Sequence, residues 1–393
     1  MLPTQSQDAG AFAHFDLYTV PSPSFVVDAA KVRQNLRLLR SVRERTGVKV
    51  LSALKAFSMW RLAEIISEEL DGVCTSGLWE TRLAKAHYRG EVTTYSAGYK
   101  ASEIDEIAQG SDHLIFNSIE AARRFGRRVH EAGTSIGIRV NPMHSEGSVD
   151  RYDPCAAGSR LGLPITRLPE LFSDPEIGAL IEGVHMHTLC EQDFPPLMRT
   201  WEASEPYLAP YFSQLKWINL GGGHHITRAG YQVDELCDFL CDLRQRSETQ
   251  LYLEPGEAVA FEAGILVGEV LDVTHTDRLI AITDLSATCH MPDVIEAPYR
   301  PALLHELDEG QGITLRIGGP SCLAGDVIGD YCFAEQPKVG DRIAFLDQAH
   351  YSMVKTNTFN GVALPSIMLW DSETGTLEEV RSFDWTDFER RLS

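Results

Sequence analysis

The sequence predicts a (β/α)8 TIM-like barrel with a C-terminal all-β domain, α/β + β in class. Three observations lead there. Through the middle of the chain one unit recurs: a short apolar strand, a polar or glycine-bearing turn, then an amphipathic helix. It recurs eight times, which favours closure into a barrel over an open doubly wound sheet, the structural alternative. After Gly264 the rhythm changes to strand-like runs separated by turn residues, with little helix between them.

The opening segment, MLPTQSQDAGAFAHFD, has neither the basic n-region nor the apolar run of a secretion signal, and is expected to fray. SFVVD (24–28) reads as an early strand of the β-domain, and VDAAKVRQNLRLLRSV as a linker into the first barrel helix. The barrel strands are VKVLSAL (48–54), GVCTS (72–76), VTTYSA (92–97), HLIFN (113–117), SIGIRVN (135–141), GVHMHT (183–188), KWINLG (216–221) and LYLEP (251–255). Between them SMWRLAEIISEEL, GLWETRLAKAHYRG, SEIDEIAQG and SIEAARRFGRRVHEAG carry helical periodicity. The later runs GILVGEVLDVTHT, RLIAITDLSA, ITLRIGG and DRIAFLDQ supply the β-domain. The expected division is a barrel domain over 30–264 and a β-domain built from 1–29 plus 265–393.

At 393 residues the chain exceeds one ordinary core, which agrees with two domains. A formal net charge of −21 argues against nucleic acid and anionic membrane as partners, because phosphate binding needs a basic surface. The same charge is compatible with a cationic substrate, though most acidic proteins are merely soluble, and that plainer reading keeps the larger share. No run approaches the roughly 18 apolar residues of a membrane helix. The eight cysteines lack framework spacing, which points to reduced thiols and a cytoplasmic protein. Cys237 and Cys241, four apart on an expected helix, read as packed small residues rather than a metal pair.

In such a barrel the C-terminal ends of the strands face the active-site mouth. Those ends carry Lys55 on the first strand, His185 and His187 on the sixth, Gly221-Gly222-Gly223-His224 on the seventh and Glu254-Pro255-Gly256-Glu257 on the eighth. Each has a plain structural reading. A strand-end lysine snorkels to solvent, the HMH histidines pack, with no third zinc ligand evident, and three glycines make a turn. Their joint placement at strand ends favours chemistry instead. Glycine amides cradle a phosphate with no side chains in the way. A desolvated lysine has a lowered pKa and forms a Schiff base with an aldehyde. A flat imidazole stacks on an aromatic ring, and a carboxylate keeps a pyridine nitrogen protonated, making the ring an electron sink. Phosphate, aldehyde, ring and pyridinium nitrogen are the parts of pyridoxal 5'-phosphate.

Long motifs in order carry a resemblance. They are ALKAFS around Lys55, NPMHSEGSVDRYDPCAAGSRLG (141–162), HMHTLCEQ (185–192), NLGGGHHIT (219–227) and EPGEAV (254–259). They continue as DLSATCHMPDVIEAPYRP (284–301), GGPSCLAGDVIGDY (318–331) and AHYSMVKTNTFNGV (349–362). The chain resembles the alanine racemase-like, fold-type III pyridoxal-phosphate decarboxylases, and within them the carboxynorspermidine (carboxyspermidine) decarboxylase group. The resemblance implies a head-to-tail homodimer with shared active sites. It implies that Lys55 carries the cofactor aldehyde, His187 stacks on the pyridine ring, Glu254 pairs with its nitrogen and Gly221, Gly222 and Gly223 hold the phosphate. Tyr351 is expected to reach the cofactor from the β-domain. Cys322 and Asp326 are expected to cross into the partner's site, where Cys322 is linked to protonating the product carbanion.

One departure carries information. Ornithine and diaminopimelate decarboxylases carry an arginine after EPG, against the phosphate, where this chain has Glu257. The group it most resembles has the same glutamate, read with an aspartate matching Asp293 as a substrate contact. Ammonium groups removed from water need carboxylate partners, so Glu257, Asp293 and Asp326 imply a cationic carboxylated polyamine, while Glu296 reads as an ordinary loop charge. The implied activity is decarboxylation of carboxynorspermidine or carboxyspermidine to norspermidine or spermidine, in polyamine biosynthesis. The alternatives on this scaffold are a diaminopimelate, ornithine or arginine type decarboxylase, or a racemase. A pyridoxal-phosphate carrier is disfavoured by the length, the β-domain and the PSCLAGD loop. A zinc hydrolase built on HMH and Glu254 would be settled by metal analysis.

Overall fold

Eight parallel strands close on themselves in the computed structural model, which describes residues 2–3, 7–147 and 152–393. They are Lys49–Ala53, Gly72–Thr75, Glu91–Tyr95, His113–Phe116, Ser135–Asn141, Ile181–His185, Trp217–Asn219 and Gln250–Leu253. Each pairs in parallel with the next, and the eighth pairs back to the first through Leu253 and Val50. All eight lie in one of the chain's two units, 34–259. Residues 148–151 of the long 141–162 motif fall outside the described residues.

The barrel interior is filled rather than open. Leu51, Ile115, Trp217 and Tyr252 form one buried layer. Trp217 fits because Gly137 and Gly183 face it: a Cβ on either would come within 2.2 and 2.0 Å of the indole. At the N-terminal end of the strands Glu91 accepts from the Tyr252 hydroxyl at 2.9 Å and pairs with Lys49 and, at 3.6 Å, with His113. Outside, the helix Ile119–Glu131 shows why periodicity worked: Ser118 caps it by accepting from the Ala121 amide, and Ala122, Phe125 and Val129 bury one face.

One reading needs correction. VDAAKVRQNLRLLRSV is itself the helix Ala29–Thr46, within which the division between the units falls. Val32, Leu36, Leu39 and Val42 are wholly buried, and that spacing is the apolar stripe of a packed helix, which a linker lacks.

The other unit comprises 1–33 and 260–393. Its sheet runs Val327–Phe333, Ile313–Gly318, Leu279–Thr283, Gly264–His275, Ser24–Asp28, Ser366–Asp371 and Thr376–Arg381, with Arg342–Leu346 also on Gly264–His275. Strand alternation divides its core. Phe25, Leu266 and Phe345 enter one apolar cluster, while Val26, Ile265, Val267, Ala344 and Leu346 enter another on the opposite face. The second cluster also holds Phe12, 3% exposed, from the 3-10 turn Gly10–His14. This corrects the expectation that the opening segment frays, because Phe12 and the Phe15 and Trp370 rings beside it tie it to the sheet. Residues 1 and 4–6 lie outside the described residues. Short helices, among them Ala287–His290, Asp293–Glu296 and Ser352–Lys355, interrupt what reads from sequence as all-β. Among the described residues no cysteine is in a disulfide; Cys237 is buried and Cys241 exposed on the helix Val233–Ser247. No helix among the described residues is long and apolar enough to cross a membrane.

Candidate active site

The first barrel strand ends in a turn, with the Ala56 amide donating to the Ala53 carbonyl at 3.1 Å. That turn sets the Lys55 amine 3.2 Å from His187 Nε2, two residues beyond the sixth strand. On the other side of the imidazole the Gly222 amide donates to Nδ1 at 2.9 Å. A ring nitrogen that accepts a backbone proton carries none, so the neutral ring keeps its proton on Nε2. Nε2–H then points at Lys55 Nζ, which accepts only as a free amine. The electrostatics agree. Burial, with the Arg139 guanidinium helping, holds Lys55 below the ordinary lysine range. Burial also pushes His187 well below the ordinary histidine range, reinforced by Lys55 and Arg139. The Lys55 residue as a whole is nonetheless exposed to solvent.

Glu254 follows the eighth strand and is 8% exposed. His185 Nε2 lies 3.0 Å from one carboxylate oxygen, and the Asn219 amide donates to the other at 2.7 Å. Burial alone would raise its pKa, but His185, Asn219 and Lys55 more than reverse this, and Glu254 stays ionised. Asn219 turns its own oxygen to the Gly221 amide at 2.8 Å, so carboxylate, side-chain amide and glycine loop form one network.

Gly221 and Gly223 have φ of +71° and +86°. A Cβ on Gly222 would stand 2.0 Å from the Glu254 carbonyl, and one on Gly223 1.9 Å from that of Leu189. Backbone crowding therefore demands glycine here, whatever the loop binds. Two of the three amides are turned inward, to Asn219 and His187, which narrows the phosphate cradle expected of all three.

Three residues after Glu254, Glu257 opens the short helix Glu257–Ala260 and pairs with buried His225 at 3.0 Å. In the other unit, Tyr351 has φ 47° and ψ −57°, and the Ser352 amide donates across it to the His350 carbonyl at 2.5 Å. This is a positive-φ γ-turn, rare and strained in a non-glycine residue, and such strain clusters at functional sites. Cys322 is exposed on a loop whose backbone is held by a 2.8 Å bond from its amide to Asn360 Oδ1.

Two of the expected carboxylates have partners within the fold. Asp326 is 4% exposed and accepts from Ser286 Oγ at 2.9 Å and Ser321 Oγ at 2.6 Å, with the Thr288 and Ser321 amides at 3.3 Å. It faces inward and ties down the 319–326 loop. Asp293 is held by the Lys355 ammonium, which also reaches Glu296 at 2.8 Å, so a resident cation already sits on it.

Sequence reasoning left several residues without a role. Arg139 is 4% exposed, donates to the His187 carbonyl at 2.9 Å and lies 4.6 Å over the Tyr95 ring. A charged residue inside the apolar run SIGIRVN is the same signal that singles out Lys55. On the second strand, burial of the Cys74 thiol, then the nearby Glu254 charge, pushes its pKa well up. Asn219 stood in the NLGGG motif unassigned.

A free amine, a neutral imidazole, a buried ionised carboxylate and a side-chain-free loop fit pyridoxal phosphate. Residues 24–349 match the family described as pyridoxal-dependent decarboxylase, C-terminal sheet domain. The chain is 39% identical over 385 residues to the carboxynorspermidine/carboxyspermidine decarboxylase of Campylobacter jejuni, covering 95% of this chain and 98% of that one. The chain belongs to the pyridoxal-dependent decarboxylases. This decarboxylase is also 36% identical over 379 residues to the carboxyaminopropylagmatine decarboxylase of Synechocystis, covering 96% of each. The crystal structure of carboxynorspermidine decarboxylase complexed with norspermidine from Campylobacter jejuni superposes with a TM-score of 0.85 at 38% identity, over 95% of this chain and 100% of that one. The protein is thus a carboxy-lyase that uses pyridoxal phosphate.

Proposed function

We propose that this decarboxylase removes the carboxylate of carboxynorspermidine or carboxyspermidine, working in the cytoplasm as a homodimer with shared sites. The observation that carries the substrate class is Glu257, a carboxylate in the barrel where a distal carboxylate such as that of diaminopimelate would need a cation. Lys55, His187, Glu254, Gly221, Gly222, Gly223 and Tyr351 would hold the cofactor, which when bound supplies an electron sink for the pair left as carbon dioxide departs. Lys55 joins as a free amine because His187 and burial keep its proton off. Glu254, fixed by His185 and Asn219, offers its negative charge to the ring nitrogen. Glu257 and Asp293 receive the ammonium groups of the tail, the latter by exchange with Lys355. Cys322, from a second copy of the chain, supplies the proton to the product carbon. Asp326 orders the loop that carries Cys322.

The test pairs trapping with turnover. Borohydride reduction and peptide mapping should place the cofactor on Lys55, and carbon dioxide should be released faster from carboxynorspermidine or carboxyspermidine than from diaminopimelate or ornithine. Preference for diaminopimelate would keep the cofactor assignment and sink the role of Glu257. Carboxyaminopropylagmatine belongs in the same panel as a second reading, because the 36% identity to the Synechocystis enzyme stands close to the 39% of the first relative.

A further inference from the structure

His225 stands behind the glycine loop, 1% exposed, with Nε2 3.0 Å from Glu257 Oε2. The two residues come from different strand ends, the seventh and the eighth, so the contact is made only in the folded barrel. Glu257 keeps 12% of its side chain accessible, whereas the imidazole is sealed. Backbone bonds fix His225 on either side: its amide donates to the Gln192 carbonyl at 3.0 Å and its carbonyl accepts from Arg228 at 3.0 Å. A glutamate pinned this way has little rotamer freedom left to lose when a ligand meets it.

The charges acting on the imidazole are those of Glu257, Glu191 and Arg228, while the adjacent His224 is neutral, burial holding its pKa down at about 3. Burial disfavours the imidazolium, yet Glu257 and Glu191 outweigh it and hold the pKa of His225 above that of an ordinary histidine. A buried imidazolium beside a carboxylate makes a neutral pair, and an ammonium in place of that proton leaves the same net charge.

We propose that His225 is a positioning residue for the distal ammonium of the substrate, gripping Glu257 and releasing a proton to solvent as the ammonium docks. This rests on the reading that Glu257 meets that ammonium. The imidazolium N–H bond breaks, the proton passes to buffer, and one cation replaces another at a single carboxylate.

The probe is norspermidine, titrated calorimetrically into holoenzyme between about pH 6 and about pH 7.5, where histidine titrates, in buffers of different ionisation enthalpy. The wild-type protein should release about one proton per norspermidine, and its affinity should fall by up to about tenfold per pH unit below the His225 pKa. His225→Asn should abolish both, raising KM for the carboxylated polyamine far more than it lowers kcat. His225→Gln, which keeps a donor toward Glu257, should recover part of the affinity but not the pH slope. A wild-type protein that releases no proton overturns the proposal even if no variant folds, as does a His225→Asn protein that keeps the slope. Glu257→Gln separates the two ideas. Unchanged norspermidine affinity there would sink the Glu257 reading itself, whereas lost affinity there with an intact slope in His225→Asn would remove only His225.

Discussion

At the residue scale, the state of the Lys55 amine depends on where its neighbours keep their protons. Gly222 assigns the His187 tautomer from behind, and the protonated Nε2 then faces an amine that must be free to accept. Lys55→Ala should therefore abolish borohydride trapping of the cofactor and nearly all carbon dioxide release, and a variant retaining both would discard the assignment. Cys322→Ala should leave the cofactor bound, by absorbance, while turnover falls by about 10²-fold, the scale of a lost general acid. An unchanged rate and product pattern would return that thiol to a surface role. The glutamate pair was legible only in part. Lys55, Glu254 and Glu257 stand out locally as charges at strand ends, but His225 lies 32 positions before Glu257 and no local pattern joins them.

At the element scale, the seventh-strand loop is built by crowding as much as by binding. Gly223→Ala would set a Cβ 1.9 Å from the Leu189 carbonyl in a φ +86° backbone. The loop must move, and cofactor retained through gel filtration should drop sharply while the far-ultraviolet circular dichroism stays that of the barrel. At the opposite end of the barrel, Glu91 is an anchor. Burial raises its pKa, but bonds from His113, Lys49 and Tyr252 bring it down to about 2 from 4.5. The folded pKa lies below the unfolded one, so the stabilisation is complete above about pH 4.5 and is lost as the pH falls toward 2. Urea midpoints measured across that window should decline for the wild-type protein and flatten for Glu91→Gln, which should also be weaker at neutral pH. Parallel curves would detach Glu91 from acid stability. Elements of regular period were readable from sequence. The helix Ala29–Thr46 was misread because it begins directly after a strand with no turn residue to announce it.

At the scale of the whole molecule, the proposed homodimer makes a distinct expectation. If Cys322 serves the site of a second copy, Lys55→Ala and Cys322→Ala subunits should complement each other. Refolded together, half the dimers are mixed and carry one intact site in two, so activity should recover to about a quarter of wild type. Sedimentation should report a dimer in every case. Activity no higher than the two variants measured separately would place Cys322 outside the neighbouring site.

The sequence by itself determined the repeating strand–helix unit, the strand ends that carry Lys55, His187 and Glu254, and the cofactor class, because these depend on local periodicity and on residue types at fixed offsets. Only the tertiary structure decided how the charges pair. Asp326 turned inward onto Ser286 and Ser321, Asp293 was taken by Lys355, and Glu257 was gripped by His225. The physical reason is that burial and electrostatics are set by what lies across space, and a carboxylate in a sequence carries no mark of which cation will face it.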